Sequence, residues 1–231
     1  MKKLIVIPAR GGSKGIPHKN IYPLNGKPLL EYTIELAIKA DLPNTDIVLS
    51  TDSEAIMDVA RKYEKVIIVE RPAEISGDMA STEAALLHSL EYMKSVYGKT
   101  YDAIITLQAT SPLRKVDTFI KFVNEYEAKC NQYDAMLSLN ENKSDFWHEI
   151  FDGQYERLFR DAPRRRQDRK PLYMENSAYY ITDVDALKQT GSVLGKSVNG
   201  FIISDIEAID INEIIDIYIA EGIMRATSET E

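Results

Sequence analysis

The sequence predicts an α/β fold with a mostly parallel central sheet, and three observations predict it. Short β-rich runs alternate with stretches of helical periodicity over the first two-thirds of the chain. Those helical stretches are long enough to return the chain across a sheet, as βαβ units with right-handed crossovers require. No Gly/Ser linker and no internal repeat divides the 231 residues, a length that suits one domain, here taken as 1–231 with one inserted extension.

The elements follow in order. Leu4–Ile7 reads as a buried strand. Pro28–Ala40 reads as a helix, with Leu29, Leu30, Ile34, Ala37 and Ile38 at helical spacing. Ile47–Ser50 is a second strand, and Ser53 is placed to cap a helix running through Tyr63. Val66–Val69 is a third strand, Thr82–Tyr97 a long helix, and Ala103–Leu107 a fourth strand. A helix over Val116–Lys129 and a strand over Ala135–Leu139 complete the regular part. Residues from Asn140 to Arg169 are polar, aromatic and basic without clean periodicity; they read as an inserted arm at about 140–170. Pro171–Thr182 recovers strand character. Phe201–Ile203 and Ala208–Ile211 read as extended, before a final helix from Glu213 to Ala226.

Composition narrows the function. Hydrophobic residues make up 44% and charged residues 28%, ordinary globular usage, and the formal net charge is −8. That charge argues against nucleic acid as a partner, so a basic cluster suits a small anion better. Cys130 is the single cysteine; it forms neither an intrachain disulfide nor a cysteine metal cluster. The apolar run after Met1 stops at Pro8, too short for a signal peptide, and no stretch approaches the ~18 apolar residues of a membrane span. A soluble, cytoplasmic protein with no membrane partner is the expectation.

Strand one runs into Ala9-Arg-Gly-Gly-Ser-Lys-Gly-Ile-Pro-His-Lys-Asn20. Gly11, Gly12 and Gly15 let backbone N–H groups approach an anion closely. Arg10 can clamp phosphate oxygens through its fork, and Lys14 or Lys19 adds point charge. The turn follows a parallel strand, where open α/β sheets bind ligands. It is neither a P-loop nor a dinucleotide-binding G-x-G-x-x-G, which argues against GTPase-type and nicotinamide-binding proteins.

Ile7-Pro-Ala-Arg-Gly-Gly-Ser-Lys-Gly-Ile-Pro-His-Lys-Asn-Ile21 resembles the signature of the CMP-sialic acid synthetase (acylneuraminate cytidylyltransferase) family, which includes enzymes for legionaminic and pseudaminic acid. Further segments match in order: Leu24–Leu29, Ser50–Glu54, Arg71–Asp78, Leu107–Arg114, Arg165–Asp168, Asn176–Tyr180 and Ile209–Asn212. The resemblance spans nearly the whole chain. It implies a three-layer, Rossmann-like nucleotidyltransferase fold with an inserted dimerisation arm, hence a homodimer. The implied reaction joins CTP to a nine-carbon keto-sugar acid, a nonulosonic acid, giving CMP-sugar and pyrophosphate with Mg²⁺ as cofactor. Arg10, Gly11, Gly12, Ser13, Lys19 and Asn20 would hold the triphosphate, with Arg71 and the hydroxyls of Ser81 or Thr82 near the cytidine. Gln108, Asn176 and Tyr180 would meet the sugar, with Arg114 in a supporting role. Arg165 or Arg166 would neutralise an anion, from either subunit. Catalysis would rest on Arg10, Lys19, Arg165, Arg166 and Asp210.

Plainer readings stand beside several of these. Arg71 alone would suit a surface salt bridge. Ser111 could cap a helix with Pro112 at its first position, and Asp52 or Ser53 could equally be a cap or a ligand group. Phe146, Trp147, Tyr155 and Phe159 suit either a dimerisation surface or ordinary core. On a strand, Asn176, Ala178 and Tyr180 share one face; the common family form has glycine where Ser177 stands. Asp210 and Asn212, an i, i+2 pair on extended chain, would ligate Mg²⁺, although Asn212 could instead cap the final helix. His18, His88 and His148 show no metal-ligand spacing, and no general base is identified. Two other readings remain: a nucleotidyltransferase using another nucleoside triphosphate or a sugar 1-phosphate, and a nucleotide-binding protein without turnover.

Overall fold

The structure, a computed structural model, describes residues 1–13, 15–77 and 79–228. The cationic role read for Lys14, and Asp78 of the matched segment, lie outside those residues.

In chain order the elements are β1 (Lys3–Pro8), β2 (Pro23–Leu24), β3 (Lys27–Pro28), α1 (Leu29–Ala40), β4 (Thr45–Thr51), α2 (Glu54–Ala60), β5 (Val66–Glu70), α3 (Thr82–Tyr97), β6 (Ala103–Thr106), α4 (Val116–Lys129), β7 (Ala135–Asn142), β8 (Trp147–Phe151), β9 (Gln154–Arg157), β10 (Leu172–Asp183), α5 (Val184–Thr190), β11 (Val198–Ile202) and α6 (Ile214–Ser228). Seven strands form one sheet in the order β11-β7-β10-β6-β1-β4-β5. β1 pairs parallel with β4 and β6, β4 with β5, and β11 with β7. Only β10 runs against its neighbours, between β6 and β7. The sheet is therefore mostly parallel, as the βαβ pattern predicts.

Side-chain alternation sorts the sheet into two buried faces. Ile5 and Ile7 of β1 join Leu30 and Ile34 of α1, Ile56 of α2, and Phe119 and Phe122 of α4. Leu4 and Val6 point the other way, toward Leu86, Leu90 and Met93 of α3 and Leu187 of α5. Three layers result, helices on both sides of the sheet. Tyr179 of β10 stacks between Phe119 and Phe122, with ring centroids 5.5 and 5.3 Å away; such pairs add about 1 kcal/mol each beyond area burial. A third cluster, Ile16, Leu24, Leu29, Ile211, Ile217 and Ala220, packs α6 against the turn after β1.

Several sequence-based expectations need correction. Ala208–Ile211 joins no ladder among the described residues, and β11 begins earlier, at Val198. The Thr110-Ser111-Pro112 segment makes a turn, and α4 starts only at Val116. Helix α2 stops at Ala60, and the short helix α5 and the β8–β9 hairpin went unread. Helix α3 follows its local signals: Ser81 accepts from the Ala84 N–H at its start, and Gly98 closes it in the left-handed region at φ 65°.

Candidate active site

The chain moves from β1 outward to β4 and β5, then crosses back to β6 on the other flank of β1. The strand order reverses between β1 and β6, and the loops leaving their carboxyl ends must diverge there, which opens a crevice. Two of the predicted segments flank it, the turn after β1 and the Gln108 loop after β6. They enclose a cleft of about 330 Å³ lined by Arg10, Gly12, Ser13, Lys19, Gln108 and Asn212, among others.

The turn after β1 is held open by contacts that only its glycines allow. The Gly11 N–H donates to Asp52 Oδ1 at 2.8 Å, and a Cβ on Gly11 would meet Ser53 Cβ at 2.9 Å. Gly15 lies against the Asn212 carbonyl, so closely that any Cβ would collide with it. Asn20 is buried and its Nδ2 donates to the Arg10 carbonyl at 2.9 Å, so it braces the turn from within. Arg10 Nη1 reaches the Gly77 carbonyl at 3.2 Å, joining this turn to the loop after β5. Asp52 therefore serves as a tie between loops, and Ser53 occupies the cap position of α2 without a side-chain cap bond.

Lys19 crosses to the far wall of the cleft. Its Nζ donates to the Ile211 carbonyl at 2.7 Å and to Asn212 Oδ1 at 3.3 Å. Burial lowers its pKa; Asp210 and Asp216 oppose that, and Arg10 adds to it. The Asn212 Nδ2 donates to Asp210 Oδ2 at 2.8 Å, and the Ile211 N–H binds the Thr110 carbonyl at 2.8 Å. Asp210 and Asn212 thus meet across one residue without a strand to align them. Asn212 does not cap α6. Asp216, in the first turn of α6, accepts from the N–H groups of Asn212 and Glu213 at 2.8 Å each and so ties the helix to the residues before it.

The Asn176–Tyr180 segment lies in β10, next to β6 and β7 in the sheet. Between Glu175 and Tyr180 the register of β10 slips, so residues 176–179 oppose the single residue Ser138 of β7. Ser177 sits at φ 60°, in the left-handed region that favours glycine, which gives a conformational reason for the glycine of the common family form. The bulge breaks the expected alternation: Asn176, Ala178, Tyr179 and Tyr180 are all buried. Asn176 Oδ1 accepts from Ser138 Oγ at 2.6 Å and from the Ala178 N–H at 3.2 Å. The Tyr180 phenol donates to Glu175.

On the other side of Arg10, Arg71 is buried rather than engaged in a surface salt bridge. Its Nε and Nη2 donate to Ser50 Oγ and the Ser50 carbonyl at 3.2 and 2.9 Å. Burial lowers its pKa, and nearby Asp52 opposes that. Arg71 lines a wide pocket of about 840 Å³ together with Asp52, Pro72, Gly77, His88 and Tyr92. Helix α3 lends His88 and Tyr92 to this pocket; Thr82 is its first residue, and the Ser81 hydroxyl is spent on the helix cap.

A family model described as cytidylyltransferase matches residues 4–199. The chain belongs to the cytidylyltransferase family. It is 30% identical to the pseudaminic acid cytidylyltransferase of Campylobacter jejuni, over 100% of this chain and 99% of that one. It is also 30% identical to the CMP-N,N'-diacetyllegionaminic acid synthase of Legionella pneumophila, over 99% of both. Among solved structures, a CMP:2-keto-3-deoxy-manno-octonic acid synthetase complexed with CTP superposes with a TM-score of 0.65 at 15% identity. It covers 98% of this chain and 100% of its own, a likeness of fold.

In this cytidylyltransferase, Asp210 is the residue that fits a cation. Its Oδ1 is buried and has no hydrogen-bond partner among the described residues, a costly state for a carboxylate oxygen unless something positive meets it. Asn212 turns its oxygen toward Lys19 and its Nδ2 toward Asp210, so Asp210 alone offers an unengaged oxygen. No cluster of three or more His, Cys, Asp or Glu stands ready for a metal among the described residues. One carboxylate beside a phosphate-sized cleft suits Mg²⁺, which keeps waters and substrate phosphates in its shell.

The arginine run is not brought to this cleft within one chain. Arg165 and Arg166 are exposed on the arm, and Arg166 lines a separate groove with Glu141, Lys143 and Asp205. The arm is not core either. Phe146, Trp147, Ile150, Phe151, Tyr155 and Phe159 all expose apolar surface, Phe151 as much as 73%. Asp145 fastens the foot of the arm: it accepts from Arg157 Nε at 3.1 Å and Arg169 Nη2 at 3.2 Å, and the Arg157 bond chiefly lowers its pKa. Sequence reading offered Asp52 as a cap or ligand group and missed its tie to Gly11, and it missed Thr33, Asp145 and Asp216 as framework residues. Their partners are set by the folded sheet, and only the acidic first turn of α6 hinted at Asp216. No helix among the described residues is long and apolar enough to cross a membrane.

Proposed function

We propose that this chain transfers CMP from CTP to the anomeric hydroxyl of a nonulosonic acid, releasing pyrophosphate. The observation that carries the reading is the cleft that Lys19 spans from the glycine turn to Ile211 and Asn212, with Asp210, bonded to Asn212, keeping one unengaged buried oxygen behind that wall. The pseudaminic and legionaminic acid relatives support this acceptor class.

The sugar hydroxyl attacks the α-phosphorus in line with the departing pyrophosphate, so catalysis is mainly positioning and charge neutralisation. Arg10, Ser13, Lys19 and the N–H groups of Gly11 and Gly12 grip the triphosphate, on a turn braced by Asn20. Arg71 and Thr82 border the cytidine, and Ser81 fixes the helix end there. Gln108, Asn176 and Tyr180 orient the sugar. Asp210 would hold Mg²⁺, which would supply charge neutralisation and Lewis-acid polarisation at the site. The apolar surface exposed on the arm supports a homodimer as the working form, in which Arg165 or Arg166 would reach the sugar carboxylate or pyrophosphate from the second subunit. Use of CTP, a metabolite of the cytosol, supports a cytoplasmic location.

The test is pyrophosphate release from CTP and Mg²⁺ across a panel of nonulosonic acids, with GTP, UTP and ATP as controls. Turnover should appear with CTP and at least one acid. Silence across the panel with folded protein would sink the proposal. Asp210→Ala should remove most turnover; a near-normal rate would refute its role.

A further inference from the structure

Arg114 sits at the end of the Gln108 loop, before α4, and is only 7% exposed. No salt bridge to it occurs among the described residues. Its guanidinium donates instead to three neutral acceptors: the Ala178 carbonyl through Nη1 at 2.8 Å, the Gln108 carbonyl through Nη2 at 2.8 Å, and the Thr33 hydroxyl of α1. The guanidinium carbon also lies 5.8 Å from the centre of the Tyr179 ring. Thr33 itself donates to the same Gln108 carbonyl at 3.3 Å.

A buried charge is expensive, and the hydrogen bonds that meet this one all come from neutral acceptors. Burial pushes the group down to about 10, with Asp210 opposing that, so it stays a cation at neutral pH. Its acceptors belong to the two segments that the proposed function assigns to the sugar. Gln108 stands on one, and Ala178 lies inside the bulge between Asn176 and Tyr180. A guanidinium is planar, with donors at fixed angles. Acceptors gripped by one such fork are held at a fixed separation.

We infer that Arg114 is a positioning residue that sets the spacing between the Gln108 loop and the Asn176–Tyr180 bulge, and so the width of the acceptor-sugar site. It touches neither substrate. This inference rests on the proposed function for its sugar and on the geometry alone for its clamp, and two readouts keep these apart.

The first readout needs no turnover. In Arg114→Met, backbone amides of residues 108–113 and 176–180 should exchange with solvent faster together, while those of 10–20 stay as in the parent. Unchanged protection in both sugar-side segments overturns the clamp. The second readout is kinetic. Arg114→Met should raise KM for the nonulosonic acid at least tenfold, with CTP affinity by calorimetry within twofold of the parent. Arg114→Lys, which keeps the charge and loses the fork, should fall between. An equal loss of CTP and acid binding, or an unchanged acid KM, overturns the assignment. Thr33→Val removes one acceptor and provides the folded test if Arg114→Met is unstable. It should raise the acid KM severalfold, and an unchanged value counts against the clamp.

Discussion

Replacing Gly15 by alanine isolates the wall-to-wall contact on which the cleft depends. An alanine Cβ here points at the carbonyl oxygen of Asn212, well inside the 3.0 Å that real Cβ atoms keep, and no flexible side chain stands between them to give way. Either the turn or the Asp210–Asn212 segment must retreat by about 1 Å, and a misplacement of that size in a positioned site costs about 100-fold. That corresponds to about 2.7 kcal/mol of transition-state stabilisation. The retreat also pulls on Lys19, which binds the Ile211 carbonyl and the Asn212 side chain on the segment that moves. Gly15→Ala should therefore lower kcat/KM for pyrophosphate release about 100-fold while the melting temperature stays close to that of the parent. A variant within threefold of the parent would refute the idea that this contact sets the cleft. A fall that tracked loss of folded protein would show that the contact serves the fold and not the site.

Two further outcomes follow from particular groups. The Lys19 ammonium, its pKa lowered by burial, loses its proton at a pH below the ordinary lysine value of 10.5. The alkaline limb of the kcat/KM profile should accordingly fall early, and Asp216→Asn, which removes one of the charges holding the pKa up, should move that limb to still lower pH. A pH profile in which the limb does not move removes Lys19 from that role. Gly222 lies inside α6 with nothing within 4 Å of where a Cβ would stand, so Gly222→Ala should stabilise the protein by about 1 kcal/mol. A lowered melting temperature would show a packing role that the structure does not display.

What the sequence made legible was what neighbouring residues decide. Leu4–Ile7 reads as a buried strand because four apolar residues in a row suit a strand covered on both faces, and the turn after it reads as an anion site because its glycines and cations are consecutive. Arg114 was named only in a supporting role, because its work depends on Thr33 and Ala178, 81 and 64 residues away. The β8–β9 hairpin escaped for a different reason. Every residue of β8 is exposed, so no buried face imposes the alternation that marks a strand. Ala208–Ile211 failed in the opposite sense, since its apolar alternation reflects Ile209 and Ile211 packing beneath α6 and no partner strand. The bulge in β10 was hidden because Ser177 takes a backbone conformation that usually announces itself with glycine.

The last rung of the β7–β10 ladder pairs Asn142 with Leu172. In topological terms, residues 143–171 are the loop of a single hairpin, however elaborate. Lengthening, shortening or exchanging that loop leaves the register of every sheet strand untouched, because both of its ends are already fixed side by side. The arm is thus free to diverge in length and surface as a module, without disturbing the pairing of the sheet that frames the cleft.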